Sequence, residues 1–396
     1  MDAEHIVIGS GLAALGAVLG LAGRGPVIVL AGDSVSRISY YDQRSTVPCA
    51  QLGVGGLGND WHGVIPVSLS APNFGVQEDS FCSLFESFYP NSDIRSFVGQ
   101  SWLFVPWKPI RPWARLQELA AANPRTLRLL PVLANKVEID SHSVSVSSGH
   151  ETFRARHVWV AAGALHTPKL LSSSFGSRII RKAISDHVTF YVGQVTGIAG
   201  PKVIHKRNGI FFQAWRPNNE GALYTLRPAR FKFRELDFGI EQRAVFGMPT
   251  GGAVAKIMKR MSPGLLSEAL FNRFGIFKTA GTYSVYAQVP SRDAYSWSDG
   301  ASPIEAIPSG IQLAAESARK LQPFKGLTPS KRMDIYIPGI HLHNSIDKTA
   351  WSDLGLDSPD SPLRVIDPSL IDDIGPEHHS FKVMASAFQS AGGIGR

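Results

Sequence analysis

The sequence predicts an α/β protein in which a discontinuous Rossmann-like unit is joined to an α+β unit built on an antiparallel sheet. Three observations carry that prediction. Residues 4–33 read as strand, tight glycine turn, helix and strand, and residues 188–300 change to alternating strands. The chain has 396 residues, 44% of them hydrophobic and 18% charged, enough apolar sequence for one large or two modest domains. This balance excludes global disorder. The 38 Gly and 26 Pro are spread without a period, which excludes collagen-like and low-complexity chains.

The first elements are the most explicit. Ile6-Val7-Ile8 enters Gly9-Ser10-Gly11-Leu12-Ala13-Ala14, an Ala/Leu/Gly stretch follows to Ala22, and Val27-Ile28-Val29-Leu30 closes the unit. Strand, G-x-G-x-x-A and helix in this order form a dinucleotide fingerprint. Gly9 permits the sharp turn, Gly11 lets a pyrophosphate approach the backbone, and Ala14 lets helix and strand pack closely. Leu12 and Ala13 lie in the first helical turn, whose amides face the anion. Asp33 is the carboxylate nearest the end of the second strand and the candidate for the ribose hydroxyls. Its alternative is a turn residue after Gly32.

Residues 34–120 read as irregular, apart from a helix at 113–123. Strands are expected at 127–133, 136–140, 143–147 and 151–160. The last runs through Val158-Trp159-Val160 into Ala161-Ala162-Gly163-Ala164 and a helix containing Thr167-Pro168 and Leu170-Leu171. Further on, strands are expected near 189–195, 209–215 and 282–288, interrupted by a basic amphipathic helix at 265–274. After a Pro/Lys-rich turn at 322–331 the chain returns through Met333 to a histidine-rich segment and ends in a helix at 380–391.

Lys and Arg outnumber Asp and Glu by 40 to 32, a net +8 that suits an anionic small partner. The basic clusters, such as Arg227, Arg230, Lys232 and Arg234, are short and scattered, so no nucleic-acid partner is expected. Cys49 and Cys82 are the two cysteines, too few for a disulfide framework or a thiolate zinc site. No run approaches the roughly 18 apolar residues of a membrane span, and the start at Ile6 reads as a strand. A cytoplasmic protein is expected.

Five stretches together resemble the glucose-methanol-choline (GMC) family of flavin-dependent alcohol oxidoreductases. They are the fingerprint above, Gly53-Val54-Gly55-Gly56-Leu57-Gly58-Asn59-Asp60-Trp61, the segment from Ala161 to Leu171, the pair Asp186-His187, and a C-terminal block. That block holds His341-Leu342-His343-Asn344-Ser345 and Asp367-Pro368-Ser369, with His378 eleven residues after Asp367. The loop from Gly53 to Trp61 is most similar to the family's sugar-oxidising branch, and the chain is short for the family. The resemblance implies FAD, bound by residues 1–70, 120–187 and 335–396, with 71–119 and 188–334 forming the substrate domain.

It also implies cofactor contacts for Gly55, Gly56, Asn59, Asp60, Trp61, Ala162, Gly163, Asp367 and His379. A backbone contact from Val137 to the adenine and a helix N-terminus near residue 380 aimed at the flavin are implied as well. Asp60 stands where members with a histidyl-linked flavin carry the tethering His, so non-covalent FAD is expected. Asn344 replaces the usual Gly, and His379 a common Pro.

Alcohol oxidation by a flavin needs a base at the hydroxyl while hydride leaves for flavin N5, and histidine suits that task near neutral pH. His341 is expected to be the base and His378 its hydrogen-bonding partner, with His343 and His379 as competing assignments. An extended HxH puts His341 and His343 on one face. No metal is expected, since the histidines lack a nearby Cys or a helical HExxH. The expected substrate is a small-molecule alcohol, sugar-like or polyhydroxylated, with oxygen, a quinone or a protein as electron acceptor. The alternatives are a non-redox lyase on the same fold and a catalytically inactive flavin-fold binding protein.

Overall fold

Alternation along the first strand sets the layering. In β1 (Asp2–Ile8), Ile6 and Ile8 pack on one side of the sheet while Val7 packs on the other, against α1 (Leu12–Gly20). β2 (Val27–Leu30) repeats this, with Val27 and Val29 on the α1 side and Ile28 and Leu30 on the opposite side. This computed structural model describes residues 2–32, 36–38, 50–59, 61, 63–68, 75–140, 143–216, 221–228, 281–296, 305–320, 324–330, 336–338, 341–358 and 360–392. Asp33, Asp60, Cys49, Met333, the basic cluster at 230–234 and the helix expected at 265–274 lie outside the described residues.

A short hairpin of β3 (Ser36–Ile38) and β4 (Ala50–Leu52) and the brief β5 (Ile65–Pro66) come next. The expectation of irregular chain up to residue 120 is then corrected by α2 (Glu78–Phe88) and β6 (Trp102–Pro106). In α2, Glu78 and Asp79 occupy the first turn, where acidic groups complement the helix dipole, and Phe81 and Phe85 share the buried face one turn apart. α3 (Pro112–Ala122) follows where a helix was expected, with Pro in its first turn.

Next come β7 (Leu127–Leu130), β8 (Lys136–Ile139), β9 (Val144–Ser148) and β10 (Glu151–Val160), then α4 (Gly163–Phe175). The Rossmann-like sheet runs β7-β2-β1-β10 in parallel. β10 is long enough to use one edge twice: residues 151–155 pair antiparallel with β9, while Val158–Val160 pair parallel with β19 (Leu363–Val365).

A second sheet is centred on β11 (Ala183–Thr196), which runs through the expected boundary at residue 187. β12 (Val203–Lys206) and β13 (Gly209–Gln213) join β6 and β5 in a separate four-stranded sheet. β14 (Leu223–Pro228) pairs with β15 (Thr282–Ser296), and β15 pairs with β11 and with the short β16 (Glu305–Ala306). α5 (Pro308–Lys320), which sequence reasoning did not anticipate, packs Ala314, Ala315 and Ala318 on this sheet. β17 (Thr328–Pro329) and β18 (Tyr336–Pro338) close the other edge of β11. After the short α6 (Lys348–Ser352) and β19, the chain ends its described course in α7 (Ser380–Ser390), seated on α1. Gly16 and Gly20 make that seat: a Cβ at Gly16 would meet Met384 O at 2.1 Å, and one at Gly20 would meet Phe388 O at 2.3 Å. The fold class expected from the sequence is the one found.

Candidate functional site

The site begins where β11 meets the segment following β18. Ser185 and His343 exchange two backbone hydrogen bonds of 3.0 Å, so residues 341–343 continue antiparallel along β11. The Asp186 carboxylate, fully buried, accepts the amide N–H of His187 at 2.8 Å and that of His341 at 2.9 Å through the same oxygen. One carboxylate therefore fixes the backbone of histidines from two segments about 155 residues apart in the chain. The pairing of β11 with β15 is irregular between Ile184 and Asp186, beside these residues. Such irregularities re-aim side chains next to functional sites. Along β11, Val188, Phe190 and Val192 face the α5 side, so alternation turns His187 to the opposite side.

There His187 meets the histidines preceding α7. Its ring stacks on that of His341 with centroids 4.5 Å apart and lies 5.5 Å from His378 and 6.3 Å from His379. His341 is 5.4 Å from His378 and 4.9 Å from His379. His343 touches the group through His379 at 5.9 Å, and its Nδ1 lies 3.1 Å from His341 O. All four histidines chosen from the sequence are thus brought together. His343 and His379 are buried, at 2% and 3% exposure, whereas His341 and His378 keep part of their surface open.

His187 is the member sequence reasoning missed as a side chain of the site. Its ring is fully buried, and neither ring nitrogen has a hydrogen-bond partner. Leaving a buried donor or acceptor unsatisfied costs about 1–3 kcal/mol, so the position is held against its own preference. The signal was the Asp186-His187 dipeptide itself, whose spatial neighbours only the strand pairing reveals.

Burial governs the charge of this group. It pushes His187 and His379 well below the ordinary imidazole range, with repulsion from the neighbouring histidines adding to it. Burial also lowers His343 to about 4, although its backbone hydrogen bond to His341 acts the other way. Beside the cluster, Glu377 is buried with Lys382 Nζ at 2.6 Å and Arg216 Nη1 at 3.6 Å, and it accepts a hydrogen bond from Ser68 Oγ. Burial lowers Lys382, and Glu377 partly opposes that shift.

The glycine-rich segments converge as well. Ser10 Oγ accepts the Gly55 N–H at 2.8 Å, joining the fingerprint turn to the second glycine loop. Gly9 has φ +118° and no room for a side chain, since a Cβ would meet Ala161 O at 2.2 Å. Gly11 caps α1, which has no side-chain cap and no acidic residue in its first turn; Leu12, Ala13 and Ala14 in that turn are buried. Those amides suit a phosphate. Gly56 and Gly163, both at positive φ, have nothing within 4 Å of where a Cβ would stand, so bare backbone is presented there. Ala162 caps α4, Asn59 Nδ2 holds Val54 O at 2.7 Å, and Trp61 is buried with its Nε1 unpaired. These residues fit a dinucleotide cofactor.

Two expected cofactor residues are engaged with the protein. Asp367 caps the turn at 368–370 and accepts hydrogen bonds from Ser369 N, Ser369 Oγ, Gly163 N and Thr167 Oγ. It thus ties the start of α4 to the end of β19, and its burial raises its pKa against those four bonds. Val137, expected to reach the adenine through its backbone, gives its amide N–H to Ser174 Oγ at 2.8 Å.

The site lies where a Rossmann-like parallel sheet carrying two glycine-rich turns meets an antiparallel sheet, and it defines the class as an α/β fold with an appended α+β unit. Among solved structures, pyridoxine 4-oxidase from Mesorbium loti has this fold. It aligns over 98% of this chain and 98% of its own, with a TM-score of 0.53 and 11% identity. A variant of formate oxidase from Aspergillus oryzae RIB40, a protein studied for modification of its FAD, aligns over 98% and 97%, with a TM-score of 0.50 and 12% identity. By sequence, no family model and no curated protein matches the chain. Among the described residues, no helix is long and apolar enough to cross a membrane.

Proposed function

We propose that the chain is a flavin-dependent oxidoreductase of the GMC type, oxidising an alcohol group of a small molecule. The observation that carries this reading is the convergence of His187, His341 and His378 from three distant segments beside the start of α7. The fold shared with two solved oxidases supports it. FAD would be held by the α1 N-terminus with Gly9, Gly11 and Ala14, by Gly55, Gly56, Asn59 and Trp61, and by the backbone at Ala162 and Gly163. When bound, it would supply the acceptor for the hydrogen leaving carbon as hydride.

The chain's own residues handle the proton. His341, partly open and stacked on His187, takes the hydroxyl proton, and His378 hydrogen-bonds the resulting alkoxide. His379 and His343, buried and neutral, wall the pair off from water, and Asp186 holds the His341 backbone in place. The same reading keeps FAD non-covalent and assigns 1–70, 120–187 and 335–396 to the cofactor and 71–119 and 188–334 to the substrate. A sugar-like or other polyhydroxylated substrate is its most specific form.

The test is the visible spectrum of the purified, undialysed protein, followed by anaerobic addition of alcohols and sugars. Flavin bands that bleach with an alcohol are the expected result. A colourless protein that refuses added FAD overturns the reading. Yellow colour left in the pellet after trichloroacetic acid overturns its non-covalent part.

A further inference from the structure

We propose that His187, His341 and His378 form a binding site for a divalent transition-metal ion of the zinc class, and that the metal excludes the alcohol from this site. One ring nitrogen from each lies within 4.8 Å of the other two. A tetrahedral zinc site with Zn–N bonds of about 2.0–2.1 Å needs nitrogens about 3.3 Å apart, a contraction within reach of side-chain torsions. Three protein nitrogens and one open position is the ligand count of an accessible zinc site rather than a closed structural one.

A second, independent observation points to a ligand. His187 is fully buried and both its ring nitrogens lack a hydrogen-bond partner, although an imidazole always has one nitrogen to donate and another to accept when neutral. A metal ion supplies the partner that the protein omits. Behind the trio, the Asp186 carboxylate fixes the backbone of both His187 and His341. Imidazole ligands suit zinc, copper and nickel, and the absence of cysteine and of several carboxylates in the trio argues against calcium or magnesium.

This runs against the sequence expectation of no metal, for a physical reason: the ligands come from residues 187, 341 and 378, so no ligand spacing is visible in the chain. The occupant shares His341 and His378 with the proposed reaction, so the proposal rests on the same side chains but not on the flavin.

The test is a zinc titration of the chelator-treated holoprotein against a chromophoric zinc indicator. The expected result is one zinc per chain. His187→Ala and His378→Ala should each weaken binding by about 100-fold or more, beyond the roughly 10–100-fold typical of outer-shell changes. His150→Ala and His205→Ala, at exposed positions, should leave it unchanged. Should His187→Ala fail to fold, as judged by circular dichroism, His378→Ala decides alone, because its side chain is only partly buried. No stoichiometric zinc, or binding indifferent to His378, overturns the proposal. In the yellow protein, zinc should also inhibit flavin reduction competitively with alcohol, and non-competitive inhibition overturns the exclusion. A colourless protein that still binds one zinc through these residues sinks the oxidoreductase reading and leaves the metal site standing.

Discussion

Asn344 and His341 stand three residues apart and answer to different demands. Asn344 has φ +55°, the left-handed region that costs most residues about 1–2 kcal/mol and that Asn tolerates after Gly. The Asn that stands where the resembled GMC element has Gly is therefore the next residue the backbone accepts. Its Nδ2 also donates to Ser185 Oγ at 3.3 Å. Asn344→Ala should lower the unfolding free energy by about 1–2 kcal/mol, and Asn344→Gly by less, as read from urea midpoints at equal slope. His341→Ala should leave FAD bound and slow anaerobic flavin reduction by about two orders of magnitude or more, the scale of losing a general base. An unchanged stopped-flow rate would move the proton acceptor to another histidine of the cluster.

Helix α7 is where packing reaches the chemistry, because its turn of entry carries Glu377, His378 and His379 while its body rests on the glycines of α1. Gly16→Ala puts a methyl group against Met384 O, and no flexible side chain is available to yield. Overpacking of this kind costs about 1–3 kcal/mol. The helices should separate, so thermal stability should fall together with retention of flavin on gel filtration. Loss of stability with full flavin retention would mean that α7 moves without disturbing the site. Elements with strong local signals, β1, α1, β2, β10 and α7, were legible in the sequence. α2 was not, because its Phe81–Phe85 spacing is embedded in Ser-rich and Pro-rich chain whose turn signals outweigh it. In the site, His341 and His378 were legible through motif spacing. His187 was not, because its place depends on β11 pairing with a segment about 150 residues later.

The whole molecule inherits the histidines' burial as a pH dependence. His187, His343 and His379 have depressed folded-state pKa values, that of His343 about 4, against an ordinary value near 6.5. Between those limits the unfolded chain binds protons that the folded chain refuses, so stability rises with pH through the window and is lost as pH falls from 6.5 towards 4. Each fully buried histidine contributes up to about 1.4 kcal/mol per pH unit there. His5, His157 and His166, also lowered by burial, act in the same sense, while Asp367, whose folded-state pKa is raised, works in the opposite sense just above its ordinary value. Urea unfolding at a series of pH values should show a steep decline below 6.5 and little change just above it. A flat profile across that window would mean that the cluster is already protonated in the folded state.

The double use of one edge of β10 has a consequence for how the chain is made. Residues 151–155 find β9 at once, but Val158–Val160 wait for β19, and Gly163 waits for Asp367, 204 residues later. At about 5–20 residues per second of translation, that interval is about 10–40 s. Throughout it, the nascent chain displays an unpaired parallel-strand edge and a glycine groove on α1 without the helix that fills it. A chain released at residue 360 should therefore partition into the pellet or onto chaperones, where the 396-residue chain stays in the supernatant.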